Sequence, residues 1–314
     1  MKTALLTETE NKTHFIEANT IPTSLDAIKN KHIVPVFIKD NEPAMSNGDF
    51  IQIVHEVAGH HFPREQILNP IIRVSHPVKG RIPQARSKPA SELLESEKTI
   101  YYERMMFMIE IPTISKSIGG HEVTLSIGGV KAYNQDKLHG KRSDQQFKVF
   151  IGFKNTICCN LCIWTDGLAG EIFAKEFHEL TKQIYEFIGG FEYNHQLHLM
   201  EKLTGYELTE KRFAQLIGKA RLYQHMPLKK KKGMPKLLFN DSQVSKVARD
   251  YYGEKSFCRK ENGNIDLWRL YNLFTSANKS SYIDQFLDRG VNATNFSQMI
   301  GSALEGNKDC WFID

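Results

Sequence analysis

His55-Glu56-Val57-Ala58-Gly59-His60-His61 sets three histidines and a glutamate within one short string, the residue types of a zinc hydrolase. That chemistry needs histidines at i and i+4, so that both face one metal, with the glutamate beside them. Here position i+4 is Gly59, and the next histidines come at i+5 and i+6, rotated off that face. The spacing points to polar residues at a helix end. Cys158, Cys159 and Cys162 form a second cluster, in which Cys159 and Cys162 have CxxC spacing. Structural zinc takes four ligands, usually from two such pairs, and the chain has no second pair. The neighbours Ile157, Leu161, Ile163 and Trp164 are apolar, which suits buried, reduced thiols. No metal or cofactor site is expected. The chain holds five cysteines without repeated spacing, so the thiols are read as free in a reducing cytoplasm.

Ser126-Ile127-Gly128-Gly129-Val130 lacks the spacing of a phosphate-cradling loop, and no GxGxxG opens a helix. These glycines are expected to mark a bulge or tight turn in a sheet. No GxSxG elbow occurs, and no catalytic residue is assigned. An enzyme site gathered from dispersed groups, such as Glu103, His121 and Asp166, is kept as an alternative.

Charge is the stronger signal. The 314 residues carry a formal net charge of +5. Residues 73–90 alone contribute +5 through Arg73, Lys79, Arg81, Arg86 and Lys88, with no acid among them. Residues 209–236 contribute +8 through Lys211, Arg212, Lys219, Arg221, Lys229, Lys230, Lys231, Lys232 and Lys236 against Glu210, which leaves the rest of the chain at −8. Such segregation steers a protein toward an anionic partner. Pro77, Pro83 and Pro89 break helix in the first segment, which reads as an extended, semi-rigid cationic loop. Lysine and arginine meeting phosphate release counterions, so about six contacts give strong, salt-sensitive binding. Tyr101, Tyr102, Phe107, Phe213 and Tyr223 lie near enough in sequence to offer stacking surfaces, although core positions are the simpler reading for Tyr101, Phe107 and Phe213. A structural alternative also stands: the loop cations pair with Glu92, Glu95 and Glu97 as a clasp.

The elements that must position these groups divide the chain. Residues 1–30 read as a loosely ordered N-terminal segment. Residues 31–166 read as a sheet-rich lobe carrying the cationic loop, and 167–314 as a helical lobe carrying the second basic segment. Apolar residues around Pro35 (33–38) suggest an edge strand, and 50–58 a helix ended by Gly59. A short acidic helix is expected from Ser91, then strands at 99–111, 123–127 (ended by Gly128-Gly129) and within 147–164. No helix of ordinary length separates these runs, so the sheet is expected to be mainly antiparallel. Helices are expected at 168–188, 208–223 and 265–274 from their 3.6-residue periodicity. On the second of these, Lys211, Arg212, Gln215 and Lys219 share the polar face. The fold class is α+β. The start of the chain has too short an apolar run for a secretory leader, and no stretch is long enough to span a membrane.

Six strings in order, HIVPVFIKDNEP (32–43), RVSHPVKGRIPQARSKPA (73–90), EKTIYYERMMF (97–107), IGGVKAYN (127–134), FIGFKNTICCNLCIWTDG (150–167) and LWRLYNLFTSANKSSYIDQFLDRGVNA (267–293), resemble the Bacteroides-type domain-of-unknown-function family 3871. The strings around Cys159-Asn160 and WRLYNLFT are also similar to phage- and plasmid-like proteins of unknown function. The resemblance implies a setting on a mobile element (plasmid, prophage or conjugative element) in DNA maintenance, transfer or defence evasion. It transfers no site residues. The sequence therefore leads to a cytoplasmic protein that binds nucleic acid, with DNA favoured over RNA, without base specificity. The residues named for this are Arg73, Lys79, Arg81, Arg86, Lys88, Lys211, Arg212, Lys219, Lys229, Lys230, Lys231 and Lys232. The non-enzymatic rival is an interaction protein of a mobile element docking on an acidic host or element-encoded protein.

Overall fold

The computed structural model describes residues 14–31, 45–133, 144–307 and 309–314, so the strand expected at 33–38 lies outside the described residues. The chain has a mixed α and β architecture, with an antiparallel sheet in the N-terminal half and a helical C-terminal half. Strand β1 (Ile21–Thr23) is followed by helices α1 (Leu25–Lys31) and α2 (Asn47–His61), and then by β2 (Ile71–Val74). Strands β3 (Pro77–Arg81) and β4 (Lys98–Tyr102) form a separate two-stranded ribbon. The long strands β5 (Arg104–Ile118), β6 (His121–Ala132) and β7 (Gln145–Asn155) form the centre of the main sheet, with β8 (Leu161–Cys162) and β9 (Leu168–Ala174) both pairing with β7. The remaining elements are α3 (Phe177–Gly189), α4 (Tyr193–Leu203), β10 (Glu207–Leu208), α5 (Glu210–His225), α6 (Leu228–Lys231), α7 (Asp241–Gly253), β11 (Ile265–Asp266), α8 (Leu267–Asn278) and α9 (Ile283–Leu304).

Alternation along the central strands explains how the sheet is covered. Phe107, Ile109, Ile127, Val149 and Ile151 join the cluster that includes Phe50, Ile53 and Val54 of α2. Met106, Met108, Val130 and Phe150 join Phe15, Ile16 and the α9 residues Ile283, Phe286 and Leu287. With both faces buried, the strands read as continuous apolar runs. Helix α2 starts in a capping box: the Ser46 hydroxyl accepts from Asp49 N, and the Asp49 carboxylate accepts from Ser46 N.

Several elements differ from the sequence expectation for physical reasons. Gly59 does not end α2, which runs on to His61. Gly128 and Gly129 do not end β6 or make a turn; the strand continues to Ala132. They provide room instead, since a Cβ on Gly129 would lie 2.5 Å from Phe50 Cζ and one on Gly128 2.1 Å from the Phe107 carbonyl oxygen. The acidic helix after Ser91 is only two isolated 3-10 turns, Ala90–Glu92 and Glu95–Glu97. The apolar run at 99–111 breaks at Glu103 into strands of two different sheets, and the run within 147–164 breaks into β7 and β8. The helix expected at 168–188 is a strand as far as Ala174, where Ile172 and Ala174 are buried at period two. It is helical only from Phe177, where Leu180, Ile184 and Ile188 are buried. Within the segment read as loosely ordered, residues 14–30 are built in: Phe15 and Ile16 are buried and β1 pairs with β2.

Candidate nucleic-acid interface

The two basic segments fold differently. In the first, Arg73 is not on a loop: it lies in β2 opposite Met106 of β5 and is 4% exposed. Its Nε donates to Thr20 Oγ1 at 3.0 Å and its Nη2 to the Thr20 carbonyl at 2.8 Å. Burial pulls the guanidinium pKa down, against the opposing pull of Glu17. Arg81 donates to the Lys88 carbonyl, and Lys88 pairs with Glu97. The hydrogen bond from Lys88, with another from Leu94 N, holds the Glu97 carboxyl below the ordinary carboxylate range. Of the clasp alternative the Lys88–Glu97 pair is present, while Arg81 bonds a main-chain carbonyl and Glu95 is taken by Lys98, outside the loop. Lys79 and Arg86 are exposed, with no ion pair among the described residues.

In the second segment Thr209 caps α5, its hydroxyl accepting from Arg212 N at 3.3 Å. Phe213, Leu216, Ala220 and Tyr223 form the buried stripe of α5, while Lys211 and Arg212 in its first turn are exposed. Pro227 opens α6, where it costs no helical hydrogen bond. Lys229, Lys230, Lys232 and Lys236 are exposed. These six have no ion pair among the described residues, because the nearby acids are engaged elsewhere. Glu210 accepts from Tyr252 at 2.6 Å and meets Arg259 at 3.4 Å. Asp241 takes Arg221 in two contacts of 2.7 and 3.1 Å, and that hydrogen bonding holds its carboxyl low.

The other cations of this segment are occupied. Lys219 donates to the main-chain oxygen of Asp314 at 2.5 Å and lies 5.4 Å from the centre of the Trp311 ring. Lys231 sits 4.8 Å over Tyr223 and donates to the Gln224 carbonyl at 3.2 Å. The exposed cations therefore fall in two groups, Lys211 and Arg212 at the first turn of α5, and Lys229, Lys230 and Lys232 beyond its last, joined by Lys236, which lay in the basic run but was not among the residues named. The length of α5, roughly 24 Å at 1.5 Å per residue, lies between the two groups. The missed partner is Asp314, which sequence reasoning had no signal to place on α5.

The rings nearest the cations do not form a stacking platform. Phe107 is fully buried, and Phe213 stacks on Tyr251 at 3.9 Å inside the core. Tyr102 and Tyr223 are buried as well, and Tyr101 is half-buried on β4. The dispersed enzyme candidates do not converge. His121 opens β6, while the Glu103 carbonyl accepts from Tyr133 N just past the other end of that strand. At about 3.3 Å per residue the two ends of β6 are roughly 40 Å apart. Asp166 accepts from Gln196 instead. His61, from the zinc-like string, docks α2 onto α3 through its Nε2 contact with the Tyr185 carbonyl at 3.0 Å. Burial pushes the Cys158 thiol up to about 11 and raises Cys162 further. Among the described residues, no group of three or more His, Cys, Asp or Glu is placed to hold a metal.

The model of one family, described as a domain of unknown function (B. theta gene description, DUF3871), matches residues 3–313. The chain belongs to the DUF3871 family. No curated protein and no solved structure matches it. Membership in DUF3871 assigns no activity, so the chemistry rests on the surface just described. No helix among the described residues is long and apolar enough to cross a membrane.

Proposed function

We propose that this protein binds nucleic acid through the phosphate backbone, without base specificity, on the surface formed by α5, α6 and the stretch leading to Lys236. The observation that carries the reading is six exposed cations with no ion pair among the described residues, Lys211 and Arg212 at the start of α5 and Lys229, Lys230, Lys232 and Lys236 beyond its end, near acids already bound to other residues. Of the first segment, Lys79 on β3 and Arg86 in the stretch between β3 and β4 are exposed with no ion pair among the described residues. Since the rings that the basic segments offered for stacking are buried or half-buried, the binding is read as electrostatic and as favouring the denser phosphate array of duplex DNA over single strands. DNA maintenance on a mobile element is the setting proposed for it, on the sequence resemblance alone.

The test is fluorescence anisotropy with labelled duplex and single-stranded DNA over a salt series. Six phosphate contacts give a log–log salt slope of about −5 on duplex. Replacing Lys229, Lys230 and Lys232 by Gln brings it to about −3. An absence of binding at about 50 mM salt, or a slope unmoved by the triple substitution, overturns the reading.

A further inference from the structure

We propose that Asp314 occupies a phosphate position on the basic face of α5, so that the segment carrying it competes with nucleic acid. The inference rests on the nucleic-acid reading above and concerns regulation of that same surface. Its starting point is that Lys219 and Gln215, which lie one turn apart on the row beginning at Lys211, both donate to a single oxygen, the main-chain oxygen of Asp314. Two donors converging on one oxygen, one of them an ammonium, are the arrangement that a phosphate oxygen accepts.

The segment is held there by its own core residues. Phe312 is fully buried between Tyr223 of α5 and Phe296 of α9, with ring centres 5.7 and 4.9 Å away, and Cys310 and Ile313 are buried beside it. A turn in which Ile313 N and Asp314 N both donate to the Cys310 carbonyl, at 3.0 and 3.2 Å, directs Asp314 over α5. Trp311 meets the Lys219 ammonium from the same segment. Alongside lies a cleft of about 400 Å³, lined by Lys211, Arg212, Gln215, Leu304 and Asp314. It opens at the first turn of α5, where the helix dipole adds to the two exposed cations in favouring an anion. Asp314 is the acid among these lining residues, so a duplex phosphate approaching Lys211 and Arg212 meets its charge. Displacing Asp314 removes that repulsion and frees Lys219 and Gln215 together.

The experiment compares wild type with Asp314→Asn, which withdraws the acid while keeping Phe312 and Ile313 as anchors. The variant is expected to bind labelled duplex about fivefold more tightly, the factor for one unit-charge contact in water. Its salt slope should stay near that of the wild type, since Lys219 keeps the main-chain oxygen of residue 314, whereas Phe312→Ala, which loosens the segment, should steepen the slope by about 0.9, one added phosphate contact. Lys219→Gln is expected to cost more in a folded Phe312→Ala background, where the segment loses its anchor against α5, than in the wild type, because Lys219 then meets phosphate in place of the Asp314 main-chain oxygen. If D314N proves unfolded by circular dichroism, Trp311→Ala removes the ring beside Lys219 without touching the buried anchors and carries the same expected sign. A wild type that binds steeply, beside a D314N protein of equal affinity or an equal cost of K219Q in the wild-type and F312A backgrounds, overturns this inference and leaves the nucleic-acid reading standing. Failure of both proteins to bind at about 50 mM salt overturns the nucleic-acid reading itself.

Discussion

Glu110 of β5 and Lys154 of β7 form an ion pair across the central strand β6, and each side chain is only 11% exposed. Thr124 of β6 completes the set by donating its hydroxyl to Glu110 Oε1 at 2.8 Å. The pair thus ties three adjacent strands beneath the helical half, and its removal measures how dry that face is. Glu110→Met keeps the volume but strands the Lys154 ammonium in the interior. Removing one partner of a buried pair costs about 3–5 kcal/mol, because the other charge stays desolvated. Lys154→Met is expected to cost a similar amount, since Glu110 keeps only the Thr124 hydroxyl. The double variant removes both charges, and replacing a buried pair by apolar groups is close to neutral. A urea-denaturation cycle at neutral pH reads all four proteins. At a slope of about 3 kcal/mol/M each single variant moves the midpoint down by roughly 1–2 M, and the double returns near the wild type. Additive single costs, or a Glu110→Met cost below about 1 kcal/mol, would show that water reaches the pair and would refute the argument.

Two further outcomes are expected from the core. Gly129→Ala presses a methyl group against the Phe50 ring, 2.5 Å away, and the Lys148 carbonyl, 2.9 Å away. It should lower stability by about 1–3 kcal/mol, part of it recovered by Phe50→Leu in the same thermal-denaturation series; no loss would mean that α2 does not seat in that notch. Burial pushes the Cys158 thiol from the ordinary 9.0 up to about 11, so its folded pKa lies above its unfolded one. The stability it contributes is complete below pH 9 and is lost as pH rises through about 11, a total of about 2–3 kcal/mol. Lys279, whose pKa burial lowers, works in the opposite direction on that limb. The difference between wild type and Cys158→Ala across pH 8–11 isolates the thiol, and parallel curves would refute it.

How much of this was legible follows from where each partner lies. The apolar stripe of α5 and its cationic back are local patterns, and they appear where the periodicity put them. Gly129 was misread because the ring that needs the space, Phe50, comes from a helix far earlier in the chain, and Gly128 because the Phe107 carbonyl and the Phe150 ring approach it from the two flanking strands. Arg73 was misread for the same reason: its acceptor, Thr20, lies 53 residues away across β1. Strand β9 was taken for helix because apolar residues at 172 and 173 fit both periods; edge pairing with β7 settles the matter, and a single sequence does not display pairing. The Asp314 contact with α5 spans 95 residues from Lys219 and leaves no mark in local composition.

The two acid-poor runs also show why counting cations overstates a binding surface in one place and not in another. In a strand, alternate side chains turn to opposite faces, so a basic run crossing a two-faced sheet must send some cations inward. Arg73 is sent inward and bonds to Thr20, and the ribbon that follows brings Lys88 beside Glu97. In an amphipathic helix with one buried stripe, every cation off the stripe projects to solvent, and only a tertiary contact can claim it. Lys219 is claimed by Asp314 and Arg221 by Asp241, while Lys211 and Arg212 are not. The same reasoning separates Lys231, folded back over Tyr223, from Lys229, Lys230 and Lys232 in the single turn after Pro227. Sequence charge therefore does not translate directly into free charge: among the described residues the 209–236 segment keeps six of its nine cations exposed and unpaired, because Asp241 is taken by Arg221 and Glu210 by Tyr252 and Arg259.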